Sequence, residues 1–348
     1  MPDPDFKAIA DDVTIDLIED AAERLNGLAV RTPLLESAQL NEAMGMRLLF
    51  KPECLQRTGS FKFRGAYTKL SRIAPDKRRC GVVAYSSGNH AQGVAAAAQL
   101  LGMHATMVMP SNAPRIKIDN TRGYGAEVVL YERHTEDRRA IAEEIADRNG
   151  SIIVPPFDDI DIISGQGTVG LEISRQADYA NISVDAVFCP VGGGGLLSGI
   201  ATAIAAKLPM TRIWCAEPAG YDDVIRSLAA GKRIAIEPGA ASICDAIVTP
   251  QPGSITFDIM KRLVSGGFAV SDHEVMNAVA VLFDRLKLVV EPGGAAAFAA
   301  LVQQRGRFAG GTVIVVLSGG NVDRREFAGY LNQADSLERA MPVPSQES

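Results

Sequence analysis

Lys62 stands between two aromatic residues in the segment Thr58-Gly59-Ser60-Phe61-Lys62-Phe63-Arg64-Gly65-Ala66. An apolar setting disfavours the ammonium form and leaves a free amine, the nucleophile that Schiff-base chemistry with a carbonyl compound needs. Taken alone, the same segment also suits a surface lysine that lays its stem along apolar neighbours. Further along, Gly192-Gly193-Gly194-Gly195 follows an apolar run and precedes a helical pattern. Bare N–H groups and the positive end of a helix converge there, forming a cradle for a phosphate. A tight turn is the plainer reading, yet four glycines give up more backbone entropy than a turn requires. Ser86-Ser87-Gly88-Asn89-His90 lies at a second strand-to-helix turn, where N–H groups can receive a substrate carboxylate or act only as helix caps. Ser318-Gly319-Gly320-Asn321 closes a third apolar run, at the strand end where open parallel sheets gather ligands.

Two features point instead to a nicotinamide cofactor. Gly165-Gln166-Gly167-Thr168-Val169-Gly170 spells G-x-G-x-x-G, and Glu217 follows the tetraglycine segment by about 20 residues, where a ribose-binding acid belongs. The first has no strand before it. The second lacks its third glycine, because Leu197 or Ser198 stands there. No G-x-x-x-x-G-K-S/T loop occurs. An NAD-dependent oxidoreductase is therefore the remote alternative.

These turns need strands that end in them. Short apolar runs alternate with alanine-rich amphipathic stretches, the pattern of βα units on a parallel sheet, so the fold class is α/β. The pattern predicts strands over 81–85, 105–109, 126–131, 186–189, 212–216 and 312–317. It predicts helices over 91–101, 114–124, 136–148 and 196–207. Two prolines in Val154-Pro155-Pro156-Phe157, followed by the acidic stretch Asp158-Asp159-Ile160-Asp161, suit a crossing between domains.

In order and spacing, the four segments around Lys62, Asn89, Gly192 to Gly195 and Ser318 resemble the pyridoxal-phosphate enzymes of the tryptophan-synthase β fold, fold type II. Within that fold they look like the threonine/serine dehydratase and serine racemase branch. Glu291-Pro292-Gly293-Gly294 and the segment Ser164-Gly165-Gln166-Gly167-Thr168, read as a loop, extend the resemblance over nearly the whole chain. It implies two domains, each a mostly parallel sheet flanked by helices. Residues 1–75 and 158–348 would form the large cofactor-binding domain and residues 76–157 a small mobile one.

The resemblance also implies roles. Lys62 would carry pyridoxal 5'-phosphate and later act as the base, with Phe61 against one ring face. Asn89 would bond the ring 3-oxygen, Gly192, Gly193, Gly194 and Gly195 would hold the phosphate, and Ser318 would face the pyridine nitrogen, with Glu291 also at the cofactor. A serine hydroxyl cannot keep that nitrogen protonated as a carboxylate would, which favours elimination over long-lived carbanions. Ala246 would lie against the second ring face, where relatives often have glycine. Ser86, Ser87, Asn89 and His90 would hold the substrate carboxylate, and Ser87 corresponds to the serine that works from the opposite face in racemases. Glu217, the Tyr221 carbonyl and Asp223 match the spacing of the family's magnesium or calcium site, although a solvated acidic loop reads the same way. The implied activity is conversion of L-threonine or L-serine to 2-oxobutanoate or pyruvate and ammonia. Serine racemisation and 3-hydroxyaspartate dehydration are near neighbours. A homodimer is implied as well.

Composition removes other classes. With 35 basic against 41 acidic residues the net charge is -6, so no global positive field exists for a nucleic acid. Five scattered cysteines without C-x-x-C spacing suggest neither a disulfide framework nor a thiolate zinc site. The acidic N-terminus does not resemble a secretory signal, and no apolar run approaches the ~18 residues of a membrane span. A cytoplasmic location is expected. A length of 348 residues leaves no room for a C-terminal regulatory domain, so feedback by isoleucine is not expected.

Overall fold

Alternate residues of the apolar runs meet helices on opposite sides, which makes them strands of sheets covered on both faces. The computed structural model describes residues 13–86, 88–133, 135–237 and 242–335. Its strands are β1 (Leu35–Glu36), β2 (Arg47–Pro52), β3 (Val82–Tyr85), β4 (Ala105–Pro110), β5 (Glu127–Tyr131), β6 (Ile152–Ile153), β7 (Ala186–Pro190), β8 (Arg212–Pro218), β9 (Gly266–Val270) and β10 (Thr312–Leu317). Its first helices are α1 (Ile15–Arg24), α2 (Ala38–Met44), α3 (Lys62–Ser71), α4 (Asn89–Leu100), α5 (Arg115–Gly123), α6 (Arg138–Asn149) and α7 (Ile160–Tyr179). The others are α8 (Gly195–Lys207), α9 (Asp223–Ala230), α10 (Ser254–Leu263), α11 (Asp272–Leu286), α12 (Pro292–Gln303) and α13 (Arg324–Gln333).

One sheet has six strands in the order β1-β2-β10-β7-β8-β9, parallel except for β1 on β2. The period of two along β7 decides its packing. Ala186 and Phe188 join Val279 of α11 and Phe298 of α12, whereas Val187 and Cys189 join Ile173 of α7 and Ile200 of α8. The second sheet, β5-β4-β3-β6, is wholly parallel. There Val82 and Ala84 face α3 and α4, while Val83 faces Ala142 and Ile145 of α6. Both sheets thus send their glycine-rich turns toward one cleft. The architecture is an α/β fold of mostly parallel sheets flanked by helices.

One expectation fails outright. The segment 164–168 is no loop but the interior of α7. Asp159 starts that helix by accepting the N–H groups of Asp161 and Ile162, and close contacts on both sides replace the propensity its glycines lack. Boundaries shift elsewhere. Helix α4 begins at Asn89 rather than at residue 91, and α6 begins at Arg138 because the Asp137 carboxylate caps it. Strand β8 runs on to Pro218 and contains Glu217. Among the described residues no helix is long and apolar enough to cross a membrane.

Candidate functional site

Lys62 is the first residue of α3, and the chain before it is stitched to the turn after β10. The Phe61 N–H donates to the Ser318 carbonyl at 3.1 Å, the Gly320 N–H to Gly59 at 2.9 Å, and Asn321 Nδ2 to Thr58 at 2.8 Å. Two residues into α3, the buried Arg64 fixes the helix against its surroundings. Its guanidinium lies 2.8 Å from Glu53 Oε2 and 2.7 Å from Glu172 Oε1, so a buried cation is fully paired. Among the described residues Lys62 itself has no carboxylate partner. Nζ donates to the Pro156 carbonyl at 2.7 Å and lies 5.2 Å from the centre of the Phe61 ring. Loss of hydration brings its pKa down to about 8, within reach of neutral conditions.

Across the cleft, β7 ends in Gly192 to Gly195, and the last of these opens α8. Its first N–H groups have no helical acceptor. Gly194 adopts a φ of +98°, a left-handed conformation that suits glycine. A Cβ on Gly193 would sit 2.3 Å from a ring carbon of Phe157, so the backbone here has no room for side chains. Thr256 Oγ1 donates to the Gly193 carbonyl at 2.7 Å, which turns that acceptor away from the cleft.

Between these segments lies an open cavity of about 920 Å3. Phe61, Lys62, Ser318 and the four glycines line it, and so do Ala246 and, from the second sheet, Ser86, Asn89 and His90. Burial pushes the His90 imidazole down to about 3, so it is neutral, with Nε2 3.1 Å from the Val154 carbonyl. Asn89 is held at both ends of its amide. Nδ2 donates to Glu291 Oε1 at 2.5 Å, and Oδ1 accepts from Asn321 Nδ2 at 2.9 Å. Glu291 therefore stands behind Asn89, away from the cavity wall. Ser87 lies outside the described residues.

Glu217, Tyr221 and Asp223 form a separate site at the end of β8 and the start of α9. Both Glu217 oxygens accept N–H groups of α9, from Val224 at 3.0 Å and Ile225 at 2.8 Å. With one N–H on each oxygen, Glu217 serves as the cap of α9. Burial pushes the Glu217 carboxyl well up and the Asp223 carboxyl up to about 7. Among the described residues the Asp223 carboxylate oxygens have no hydrogen-bond partner. Among the described residues no group of three or more His, Cys, Asp or Glu side chains could hold a metal ion.

Sequence reasoning missed Lys117 and Arg138, both in the cavity wall. Lys117 sits in an ordinary polar helix with no local signal. Arg138 follows a helix cap, and its guanidinium lies 5.6 Å from the centre of the Tyr85 ring.

Comparison with known proteins now decides the family. A profile described as pyridoxal-phosphate dependent enzyme matches residues 25–319. The chain belongs to that family. An L-threo-3-hydroxyaspartate ammonia-lyase of a Pseudomonas species is 43% identical over 311 residues, covering 89% of this chain and 96% of the relative. The serine racemase of Schizosaccharomyces pombe is 37% identical over 320 residues, covering 92% and 98%. Among solved structures, a T.th. threonine deaminase superposes with a TM-score of 0.84 at 42% identity, covering 89% of this chain and 99% of that one. This pyridoxal-phosphate dependent enzyme thus falls among ammonia-lyases and racemases. Its cavity fits the cofactor. An amine of lowered pKa would suit the aldehyde, and a backbone cradle with no space for Cβ atoms would suit the phosphate.

Proposed function

We propose that this pyridoxal-phosphate dependent enzyme removes water from a β-hydroxy-α-amino acid, L-threonine or L-serine, and releases 2-oxobutanoate or pyruvate with ammonia. The observation that carries this reading is Lys62, a buried amine with a pKa near 8 that shares a cavity with the tetraglycine cradle and Ser318. When bound, the cofactor supplies the electron sink for negative charge at the substrate Cα. The N–H groups of Gly192 to Gly195 and the positive end of α8 hold its phosphate. Phe61 and Ala246 cover the two ring faces, Asn89 bonds the ring oxygen, and Ser318 meets the pyridine nitrogen as a neutral partner. Ser86, Ser87, Asn89 and His90 receive the substrate carboxylate. Once the substrate amine takes its place, Lys62 Nζ accepts the Cα proton, the β-hydroxyl departs with a proton as water, and the released enamine takes up a water and loses ammonia to give the 2-oxo acid. In the same reading residues 76–157 act as the small domain that closes over the substrate.

A second substrate is favoured by Arg138. It lines the cavity, makes no ion pair among the described residues, and so is available for a second carboxylate. The Pseudomonas and Saccharomyces cerevisiae relatives are named for L-threo-3-hydroxyaspartate. Oxo-acid release across L-serine, D-serine, L-threonine and 3-hydroxyaspartate separates these readings. Turnover confined to hydroxyaspartate would replace threonine and serine as the substrates. Racemisation of serine would give Ser87 the second role. Lys62→Ala is expected to lose at least about a thousandfold in activity, and a colourless variant with full activity would defeat the proposal.

A divalent cation bound by Glu217, the Tyr221 carbonyl and Asp223 is supported by the unpartnered, buried carboxylate of Asp223. Magnesium or calcium should then raise the melting temperature of the enzyme but not of Asp223→Asn.

A further inference from the structure

Lys117 is a buried cation of the cavity wall that the proposed reaction does not use. It projects from α5 beside the second sheet and is 1% exposed. Its stem packs on Gly88, where a Cβ would lie 2.1 Å from Lys117 Cδ. Nζ lies 2.9 Å from Asp245 Oδ2 and 3.0 Å from Glu291 Oε2, so one ammonium joins α5 to the segment bearing Ala246 and to the residue that starts α12.

The second oxygen of Glu291 accepts from Asn89. We propose that Lys117 is a positioning residue for Asn89: it holds Glu291 as an anion, so that a one-way chain of hydrogen bonds from Asn321 through Asn89 ends on a pure acceptor. The order of donors supports this. The Thr58 carbonyl can only accept, so Asn321 turns Nδ2 toward it, and the same nitrogen donates to Asn89 Oδ1. Asn89 then has Nδ2 for Glu291 and one remaining N–H for the cavity. A neutral carboxyl at Glu291 would be a weaker acceptor and would carry a donor of its own, which breaks the order. Burial, with the Asp245 charge beside it, pushes the Glu291 carboxyl up toward that neutral form, and Lys117 is the main influence that opposes it. Asp245 adds negative charge, and Cys54, Cys244, Glu326 and Tyr330 are the other titratable groups that feel this cluster.

The inference rests on the reading that Asn89 meets the cofactor, and its test separates the two. Lys117→Met keeps the length of the side chain and removes the charge. The loaded variant should show a cofactor absorption band that moves between pH 6 and 8 where that of the unaltered enzyme stays fixed. Its kcat should fall about tenfold with KM changed less than about threefold. Adding Glu291→Gln, which restores a neutral acceptor for Asn89, should return the band and most of kcat. In apoprotein, Lys117→Met should lower the melting temperature more at pH 8 than at pH 5, because an unpaired Glu291 must stay protonated to remain buried. The double variant should lose that difference. A band and kcat like those of the unaltered enzyme in Lys117→Met, a double variant no better than the single one, or equal melting losses at both pH values would each overturn the proposal. A chain that takes up no pyridoxal phosphate would sink the proposed function instead, and the apoprotein melting curves would still decide Lys117.

Discussion

Two glycine-rich segments of this enzyme have similar letters and opposite uses. Gly165, Gly167 and Gly170 lie inside α7, where they let other helices come close. A Cβ on Gly165 would sit 2.6 Å from the Arg64 carbonyl oxygen and from Gly65 Cα, both on the helix that carries Lys62. Gly192 to Gly195 lie between a strand and a helix, and leave their N–H groups facing a cavity. The first run acts on the site indirectly by setting where α3 packs. The second, under the proposed function, meets the ligand itself. Composition does not distinguish them. What does is whether the glycines lie inside a helix or between a strand end and a helix start beside a cavity.

That contrast can be broken by experiment. Gly165→Ala forces a methyl between two backbones that cannot swing aside, and should destabilise the apoprotein by about 2–3 kcal/mol in urea unfolding. Cofactor affinity of the folded fraction should stay within about threefold. Gly193→Ala should do the reverse. Its methyl meets the Phe157 side chain rather than backbone, and a side chain yields more readily, so apoprotein stability should fall less than for Gly165→Ala. Its affinity for pyridoxal phosphate should fall about tenfold or more. Equal effects of both substitutions on apoprotein unfolding would erase the distinction.

A smaller effect sharpens it at Lys62, where the two regions meet. The folded pKa of about 8 lies below the ordinary 10.5, so the unfolded chain holds more protons between these values. Apoprotein stability should therefore rise with pH through that window, with Lys62→Met removing the contribution. Capture of pyridoxal phosphate by apoprotein, which needs the free amine, should quicken about fivefold from pH 7 to pH 8. A flat rate would mean that the amine is not the group that titrates.

Much of the site was legible because its parts are local. Strand-turn-helix units announce themselves by short apolar runs followed by glycine or serine, and the cavity indeed draws together Lys62, Asn89, the tetraglycine segment and Ser318. The loop expected over 164–168 failed for a tertiary reason. Its glycines have low helix propensity, but contacts with α3 and with Gly199 and Ile200 of α8 hold them helical. Arg64 shows the same limit. Its neighbours in sequence give no sign that Glu53 and Glu172 surround it.

The sequence by itself determined the alternation of strands and helices, the turns able to hold anions, and the lysine set in an apolar segment. These depend on backbone geometry and on residues within a few positions of one another. Only the tertiary structure decided that the G-x-G-x-x-G segment is a packing surface, that Glu217 caps a helix, and that Lys117 joins Asp245 to Glu291 behind Asn89. Each of those facts turns on partners far apart in the chain, and local propensity is silent about which of them folding brings within reach.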